Sequence, residues 1–255
     1  MENLSNILTR FEPITLDAMA SVELMNRKDT KYFFSRYKLE RILEEFMPDY
    51  YVLDIQGVRG FRYNNIYFDT NDFYFYNQHH NKRTNRYKVR IRQYVESNLC
   101  FLEIKYKTNT NRTIKSRITI PEFNPHLTEE SLHFIRTHVP VLREDLHPSL
   151  SVGFNRITLV NKNMRERATI DMDLFLEVPG STQHFSNLCI AELKMDGSSS
   201  GSTFKAVMRE MLCPEMRISK YSVGAAFMYS HLKQNNFKLK KLLINKIEHV
   251  PNSTI

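Results

Sequence analysis

The sequence predicts an α+β protein in which many short antiparallel strands form a barrel or a sandwich, with a few helices attached to it. Two observations lead to this prediction. Apolar and polar residues alternate with a period of two in segment after segment of the 255-residue chain, whereas few stretches show the apolar spacing of a helix. In addition, no linker-like stretch divides the chain, which predicts one domain over residues 1–232 and a basic tail over residues 233–255.

The first expected strand covers residues 26–34, and a helix follows it with Ser35 as its N-cap. The apolar stripe of this helix consists of Leu39, Ile42, Leu43 and Phe46. Further strands are expected to begin near residues 50, 63, 86, 100, 112, 150, 166 and 188. Helical segments are expected in the 70s and near residues 128, 202 and 219.

The charge balance indicates a polyanionic partner. Lys and Arg number 36 against 28 for Asp and Glu, giving a formal net charge of +8. Nucleic acid, a phosphate-rich small molecule and an anionic membrane surface are therefore all candidate partners. Glycine is scarce, at seven residues, and neither a P-loop motif nor a dinucleotide-binding motif is present. These two classes of phosphate-binding loop are thus excluded.

Cysteine usage and the N-terminal residues indicate the cytoplasm. Cys100, Cys189 and Cys213 lie far apart and form no C-x-x-C pair, as expected for free thiols in a reducing compartment. The first residues lack the pattern of a secretory signal, and no apolar run approaches the length of a membrane span. The sequence thus predicts a cytoplasmic protein, which would associate with a membrane only through a partner.

Basic residues occupy one face of several predicted strands. In the segment RYKVRIRQY, one face carries Arg86, Lys88, Arg90 and Arg92. Other segments show the same alternation, so that charged residues share one face of each predicted strand. These groups are Glu103 with Lys105, Lys115 with Arg117, Arg167 with Asp171 and Asp173, Glu192 with Lys194, and Asp29 with Lys31. For any single strand, a solvated outer face would explain the pattern.

The repetition of this pattern on several strands has a further consequence. Like charges directly opposite each other are destabilising, and a polyanion between the strands would neutralise them. If the sheet closes, its charged face lines the interior and its apolar face packs against outer helices. The sequence therefore predicts a tunnel for a multiply charged anion. Most aromatic residues are expected on the opposite, apolar face, which disfavours a nucleic-acid partner.

Eight short motifs, in their order and spacing, resemble the VTC domain, the polyphosphate polymerase domain of the triphosphate tunnel metalloenzyme superfamily. They extend from Arg27 to Tyr229 and read RKDTKYFF, NIYFDTNDFYFY, KVRIRQY, FLEIKYK, FNRIT, ERATIDMDL, AELKMDG and RISKYSVG. The resemblance implies an eight-stranded antiparallel tunnel with helices packed outside. It also implies a metal-dependent enzyme that transfers the γ-phosphoryl group of ATP to a growing inorganic polyphosphate chain, with Mn²⁺ or Mg²⁺ as cofactor.

The resemblance also implies roles for individual residues. The positions that match the family's catalytic cations are Lys31, Arg90, Arg92, Lys105, Arg156 and Lys220. Substrate phosphates would also contact Lys88, Lys115, Arg117, Arg167, Lys194 and Ser219. Glu192 matches the metal-binding glutamate, and Glu103 would either help it or orient Lys105. Three structural alternatives stand beside these roles: Arg156 paired with Asp171 or Asp173, Glu192 paired with a tunnel cation, and Lys220 at a helix cap.

One departure from the superfamily bears on the reaction. Superfamily members that hydrolyse or cyclise their substrates usually begin with the motif E-x-E-x-K. The chain resembles them in the register of this motif, but its residues are Arg27-x-Asp29-x-Lys31. Loss of the first carboxylate favours the polymerase branch, and one tightly held metal ion rather than two. The alternatives are a tripolyphosphatase or nucleoside triphosphatase on the same fold, and a non-catalytic polyphosphate-binding module. The sequence leaves open the oligomeric state and a membrane-protein partner.

Overall fold

The computed structural model describes residues 2–20, 27–110, 112–142, 145–196 and 201–249. Its strands are β1 (Pro13–Ile14), β2 (Arg27–Ser35), β3 (Tyr50–Leu53), β4 (Phe61–Asp69), β5 (Arg86–Tyr94), β6 (Leu99–Lys107), β7 (Thr113–Ile120), β8 (His147–Asn161), β9 (Glu166–Val178), β10 (Ser181–Phe185) and β11 (Leu188–Asp196). Its helices are α1 (Glu2–Arg10), α2 (Leu16–Ala20), α3 (Leu39–Phe46), α4 (Tyr74–His80), α5 (Glu129–His138), α6 (Thr203–Glu210), α7 (Lys220–Met228) and α8 (Lys238–Glu248).

Eight of these strands form one continuous antiparallel sheet in the order β2-β11-β9-β8-β4-β5-β6-β7. The short strands β1, β3 and β10 extend it locally, with β3 and β10 pairing to β8 and β9. The expected eight-stranded antiparallel sheet with attached helices is therefore confirmed. Within the described residues no backbone pairing joins the edge strands β2 and β7, so the sheet is not closed.

The sheet nevertheless curls until distant strands face each other. Five strands separate β2 from β6 in the sheet order, a distance of roughly 29 Å if the sheet were flat. Lys31 on β2 still lowers the pKa of Lys105 on β6, an effect that such a distance through solvent would screen. The concave side that carries Lys31, Lys105, Arg90, Arg156 and Glu192 is called the inner face below.

The outer face is apolar and is covered by helices. α1, α3 and α6 pack over β2, β8, β9 and β11, where Ile157, Ile170 and Leu193 are buried. The predicted stripe of α3 lies entirely in this core. α5 covers β5 and β6 through Ile135. Alternation along the strands thus places the apolar residues under helices and leaves the charged residues on the concave side.

A second apolar core covers one end of the inner face. Leu150 and Val152 lie on the same side of β8 as Arg156, and they belong to the buried core that includes residues of α7 and α8. Ser219 is the N-cap of α7 and accepts a hydrogen bond from the backbone N–H of Ser222. Because α7 begins at the border of this core, its N-terminus lies next to the charged part of the inner face.

The largest difference from the sequence prediction concerns the residues after 232. α8 packs on the sheet and buries Ile244 and Ile247 in the same core as Leu188 and Ile190. The residues from 233 to 249 therefore belong to the packed structure, while the domain boundary at residue 232 stays a prediction. The sequence analysis also missed α1, β1, α2 and β10, which are short or weakly periodic. The predicted positions of the other strands and helices agree with the structure.

Two substitutions on opposite sides of α8 measure its contribution to stability. Ile244 is 2% exposed and Leu242 is 56% exposed. We expect Ile244→Ala to lower the free energy of unfolding by about 2–4 kcal/mol, because it leaves a cavity in the core. Leu242→Ala should change it by no more than about 0.5 kcal/mol. Denaturant unfolding of the two variants checks this, and equal effects would show that α8 is not part of the core.

Candidate functional site

The inner face brings together the side chains that the sequence selected. Strand register places Lys88, Lys105 and Lys115 side by side on β5, β6 and β7, and the next row contains Arg90, Glu103 and Arg117. On the other half of the sheet, Glu192 lies between Lys31 and Thr169, and Lys194 lies between Asp29 and Arg167. Basic residues thus exceed acidic ones on this face. The side chain of Arg27 lies outside the described part of the chain.

Two arginines of β5 are held in place by neighbours on β4 and β6. Arg90 donates from Nε to Glu103 Oε2 over 2.7 Å and from Nη1 to the Tyr67 hydroxyl over 3.1 Å. These contacts hold the pKa of Arg90 above its ordinary value, although burial alone would lower it. Glu103 therefore orients Arg90 rather than Lys105.

The positive charge of Arg92 is neutralised much less by neighbouring side chains. Its Nε donates to Asn65 Oδ1 over 3.0 Å, and within the described residues this is its one hydrogen bond. Glu103 comes no closer to it than 4.0 Å. Its side chain is 12% exposed, and burial together with Arg90 lowers its pKa. Both Nη groups of this guanidinium are therefore available for a bidentate contact with a phosphate.

A buried carboxylate joins β8, β9 and α7. Asp171 is 3% exposed and accepts two hydrogen bonds from Arg156, at 2.5 and 2.8 Å, and one from Lys220. Burial would raise the pKa of Asp171, but Arg156 and Lys220 hold it well below its usual range. The structural alternative for Arg156, a pair with Asp171, is thus present. Asp173 instead contacts Arg36 and Asn155.

Glu192 lies between two lysines. Its carboxylate oxygens contact Lys31 Nζ and Lys194 Nζ, each over 3.0 Å. Burial would raise the pKa of Glu192, whereas Lys194 and Lys31 hold it well below its ordinary value. Next to it in the register, the hydroxyl of Thr169 is buried without a hydrogen-bond partner in the described part of the molecule. One carboxylate and one hydroxyl thus lie side by side on the inner face.

The lysine row is crowded and poorly neutralised. Lys88 donates to the neutral Ser219 hydroxyl over 2.7 Å, and burial together with Lys105 lowers its pKa well below the ordinary value. Lys105 is exposed, yet desolvation by the surrounding protein and the charge of Lys31 lower its pKa to about 8. Lys194 likewise has a pKa of about 8, because burial outweighs the attraction of Glu192. An anion on this face would relieve the repulsion.

Several residues of the site were missed by the sequence analysis. Asn65 and Tyr67 orient Arg92 and Arg90. The alternation in RYNNIYF places both of them on one face. They were missed because the sequence analysis selected charged residues, and these two are uncharged. The expectation that aromatic residues lie opposite the charges is wrong at one end of the site. There, four rings lie among the arginines on the inner face, from Tyr63, Tyr94, Phe101 and Phe154.

A divalent metal ion would find few protein ligands here. Within the described residues, no three His, Cys, Asp or Glu side chains lie close enough to form a metal cluster. Glu192 and Glu103 are each engaged by basic residues instead of meeting at one point. Mg²⁺ commonly binds through one or two carboxylates together with substrate phosphates and water. Glu192, beside the unpartnered Thr169 hydroxyl, fits such a site, with the substrate supplying most ligands.

None of the helices in the described ranges has both the length and the apolar character that crossing a lipid bilayer requires. This finding agrees with the lack of an apolar run of membrane-spanning length in the sequence.

Comparison with solved structures finds distant likenesses. The PH1819 protein of Pyrococcus horikoshii has 11% identity and a TM-score of 0.47, with 80% of this chain and 98% of that chain covered. A Hippeastrum protein, described as a candidate adenylyl cyclase with a dominant triphosphatase activity, has 14% identity and a TM-score of 0.46, with 80% and 96% covered. Among curated proteins, none matches this sequence.

The family model gives a direct assignment. The model of the VTC domain matches residues 26–229, which comprise most of the chain and include every residue of the site described above. The matched range begins one residue before β2 and ends just after α7. The eight-stranded sheet with its charged inner face agrees with this match. The chain belongs to the VTC domain family.

Proposed function

We propose that this VTC domain is a polyphosphate polymerase that transfers the γ-phosphoryl group of ATP to the end of an inorganic polyphosphate chain. The observation that carries the proposal is the excess of cations on the inner face, above all the incompletely neutralised Arg92 and Lys88, whose hydrogen bonds go to the neutral groups of Asn65 and Ser219. Burying charges without partners is costly, so this arrangement is expected where a polyanion supplies the missing charge. ATP and polyphosphate are both such polyanions.

The reaction needs positioning more than it needs a strong base. An oxygen of the terminal phosphate of the chain attacks the γ-phosphorus of ATP, the bond from that phosphorus to the bridging oxygen breaks, and ADP leaves with the electron pair. The attacking phosphate is already an anion at neutral pH, so no side chain has to remove a proton from it. The barrier comes from bringing two anions together while charge moves to ADP, and fixed cations lower it.

Different basic residues would contact different phosphates of the substrates. Arg92, with two Nη groups available, would grip the transferring phosphoryl group, and Arg90 beside it would hold a neighbouring phosphate. Arg156 and Lys220, which share Asp171, would contact the phosphates nearer α7. Lys31, Lys88 and Lys105 would attract the chain as point charges. Arg117, Lys115, Arg167, Lys194 and Ser219 would extend this surface.

Glu192 is the residue that would hold a divalent cation, in the position where its carboxylate adjoins Lys31 and Lys194. Mg²⁺ or Mn²⁺ bound there together with the nucleotide phosphates would neutralise part of the negative charge that develops on transfer. The two lysines would then have to share Glu192 with the cation or bind phosphate instead. The identity of the metal, like the polymerase activity, belongs to the proposal.

Hydrolysis of triphosphates on the same fold is the main alternative. A hydrolase has to position and activate a water molecule, for which carboxylates serve well. On this inner face, Glu103, Asp171 and Glu192 are each engaged by arginine or lysine. This engagement favours transfer to a phosphate acceptor, which needs no such activation. A passive polyphosphate-binding module would have the same basic inner face as an enzyme. Only a measurement of turnover distinguishes the two.

Substitution of Arg92 tests the proposed function. We expect Arg92→Ala to lower the rate of polyphosphate synthesis by a factor on the order of 10²–10³, because it removes a donor that acts in the transition state. Arg92→Lys should restore little, since an ammonium group lacks the bidentate geometry. Lys115→Ala should mainly weaken chain binding. Synthesis from ATP with Mn²⁺ or Mg²⁺ is followed on gels, and chain affinity is measured in parallel.

The proposal fails if wild-type protein forms no polymer with either cation. If in that case Arg92→Ala and Lys115→Ala weaken chain binding equally, the protein is a binding module. Release of inorganic phosphate from ATP without chain growth would instead identify a hydrolase.

The pKa of Lys105 predicts a pH dependence of phosphate binding. A bound phosphate favours the charged lysine, so binding raises its pKa above the value of about 8 in the free protein. The affinity for tripolyphosphate should therefore be highest below that pH and fall above it, by up to about tenfold per pH unit for each lysine involved. Calorimetry near this pH should detect proton uptake. Lys105→Met should take up fewer protons, and unchanged uptake would contradict the assignment.

Replacement of Glu192 separates metal-dependent turnover from phosphate binding. Glu192→Gln keeps the shape but removes the charge that Lys31 and Lys194 share. We expect the variant to bind tripolyphosphate in metal-free buffer at least as tightly as wild type, because both lysines become available, and to lose most of its metal-dependent turnover. Unchanged turnover would place the metal elsewhere, and weakened metal-free binding would show that Glu192 organises the lysines for phosphate.

A further inference from the structure

Between Lys88 and Tyr94 the lysines and arginines of the inner face are separated along β5 and β6, and beyond Lys88 the guanidinium of Arg86 donates to the backbone carbonyl of Arg83. Tyr94, Arg92, Arg90 and Lys88 follow one another at two-residue intervals on β5, roughly 6.6 Å apart. Because of the strand register, Phe101 lies beside Arg92, and Lys105 lies beside Lys88. One end of the site, next to the turn between β5 and β6, thus combines rings with arginines, while the opposite end presents lysines.

The rings at the arginine end form a connected group, called the aromatic cluster: Tyr63, Tyr94, Phe101 and Phe154. Tyr63 stacks on Phe154 with 5.3 Å between centroids, and it also contacts Tyr94 at 5.0 Å. Tyr94 meets Phe101 edge to face at 5.8 Å. Tyr63, Tyr94 and Phe101 are only half-buried. The cluster therefore presents aromatic surface to a ligand on the inner face.

Arginines cover part of this surface. The guanidinium of Arg156 lies 4.9 Å from the centre of the Tyr63 ring, that of Arg92 lies 5.4 Å from it, and that of Arg117 lies 4.7 Å from the centre of the Phe101 ring. The face of an aromatic ring carries negative electrostatic potential, so it attracts cations and repels phosphate. The rings help to hold these guanidinium groups in place, and the parts of both that face the lumen are planar surfaces on which a base stacks.

We infer that the aromatic cluster binds the nucleoside end of ATP, and that the polyphosphate chain extends toward the lysine end. This inference rests on the proposed function, because it takes ATP as the substrate. In this orientation the base lies by Tyr94 and Phe101, the ATP phosphates lie along Arg92 and Arg90, and the growing chain leaves past Lys88 and Lys105. Bidentate arginines fix the reacting phosphates, while lysine ammonium groups act as point charges without a fixed plane, which lets a chain slide.

A comparison of two ligands tests the orientation. The β,γ-imido analogue of ATP carries the nucleoside, and tripolyphosphate lacks it. Calorimetry on the full chain in metal-free buffer measures both affinities without turnover. We expect Tyr94→Leu and Phe101→Leu each to weaken binding of the analogue about tenfold, from the loss of base stacking, and to leave tripolyphosphate affinity nearly unchanged. Phe101→Tyr should retain the preference, because it keeps a ring.

Tyr106→Leu is the matched control. Tyr106 is a half-buried ring on the same strand as Phe101, but it faces the outer core and stacks on Tyr87. The substitution Tyr106→Leu should leave the ratio of the affinities for the imido analogue and for tripolyphosphate unchanged. Binding of tripolyphosphate also reports that each variant is folded. An equal loss for both ligands in Tyr94→Leu and Phe101→Leu would mean that the rings only support the arginines, and it would overturn the inference, as would no loss at all.

The two proposals fail in different ways. Polymer synthesis by wild type without a selective loss in the ring variants overturns the nucleoside subsite and leaves the polymerase standing. A selective loss in a protein that makes no polymer supports the nucleoside subsite and refutes the polymerase.

Discussion

Repulsion between like charges on a concave surface is the constraint that the rest of this structure has to meet. The curl of the sheet brings Lys31 opposite Lys105 and leaves Lys88 beside it. Three carboxylates limit the repulsion by each serving more than one cation: Glu103 between Arg90 and Arg92, Asp171 between Arg156 and Lys220, and Glu192 between Lys31 and Lys194. What they leave unneutralised is the charge available to a ligand.

The same charged groups hold α7 in place. Lys220 binds Asp171, and Ser219, the N-cap of the helix, accepts a hydrogen bond from Lys88. Behind them, the hydroxyl of Tyr221 donates to Asp69, a fully buried carboxylate that also accepts from the backbone N–H groups of Phe75 and Tyr76 in α4. The helix that covers one end of the site is therefore tied both to the lumen and to the core. A ligand that engaged Lys88 or Lys220 would act directly on the contacts that position this helix.

Arginine and lysine serve different purposes on the inner face. Arg90 and Arg92 have their Nε atoms anchored by Glu103 and Asn65, which fixes the planes of their guanidinium groups. Within the described ranges, neither Lys88 nor Lys105 donates a hydrogen bond to an acidic side chain. Lys88 donates to the hydroxyl of Ser219 instead. An anchored guanidinium presents a fixed fork, whereas an ammonium group is a point charge without a preferred plane.

The alternation of residues along single strands was determined by the sequence alone, because side chains of a strand point to opposite faces whatever the rest of the chain does. That rule was sufficient to assign Arg90, Lys105 and Glu192 to the charged faces of their own strands, and the 3.6-residue helical period predicted the stripe of α3. Only the tertiary structure decided which strands are neighbours, and hence that Asp171 serves Arg156 and Lys220 together. It also decided that α8 joins the core and that Tyr63 and Phe101 lie among arginines. These outcomes depend on sheet order, register and curl, which arise from contacts between residues far apart in the chain.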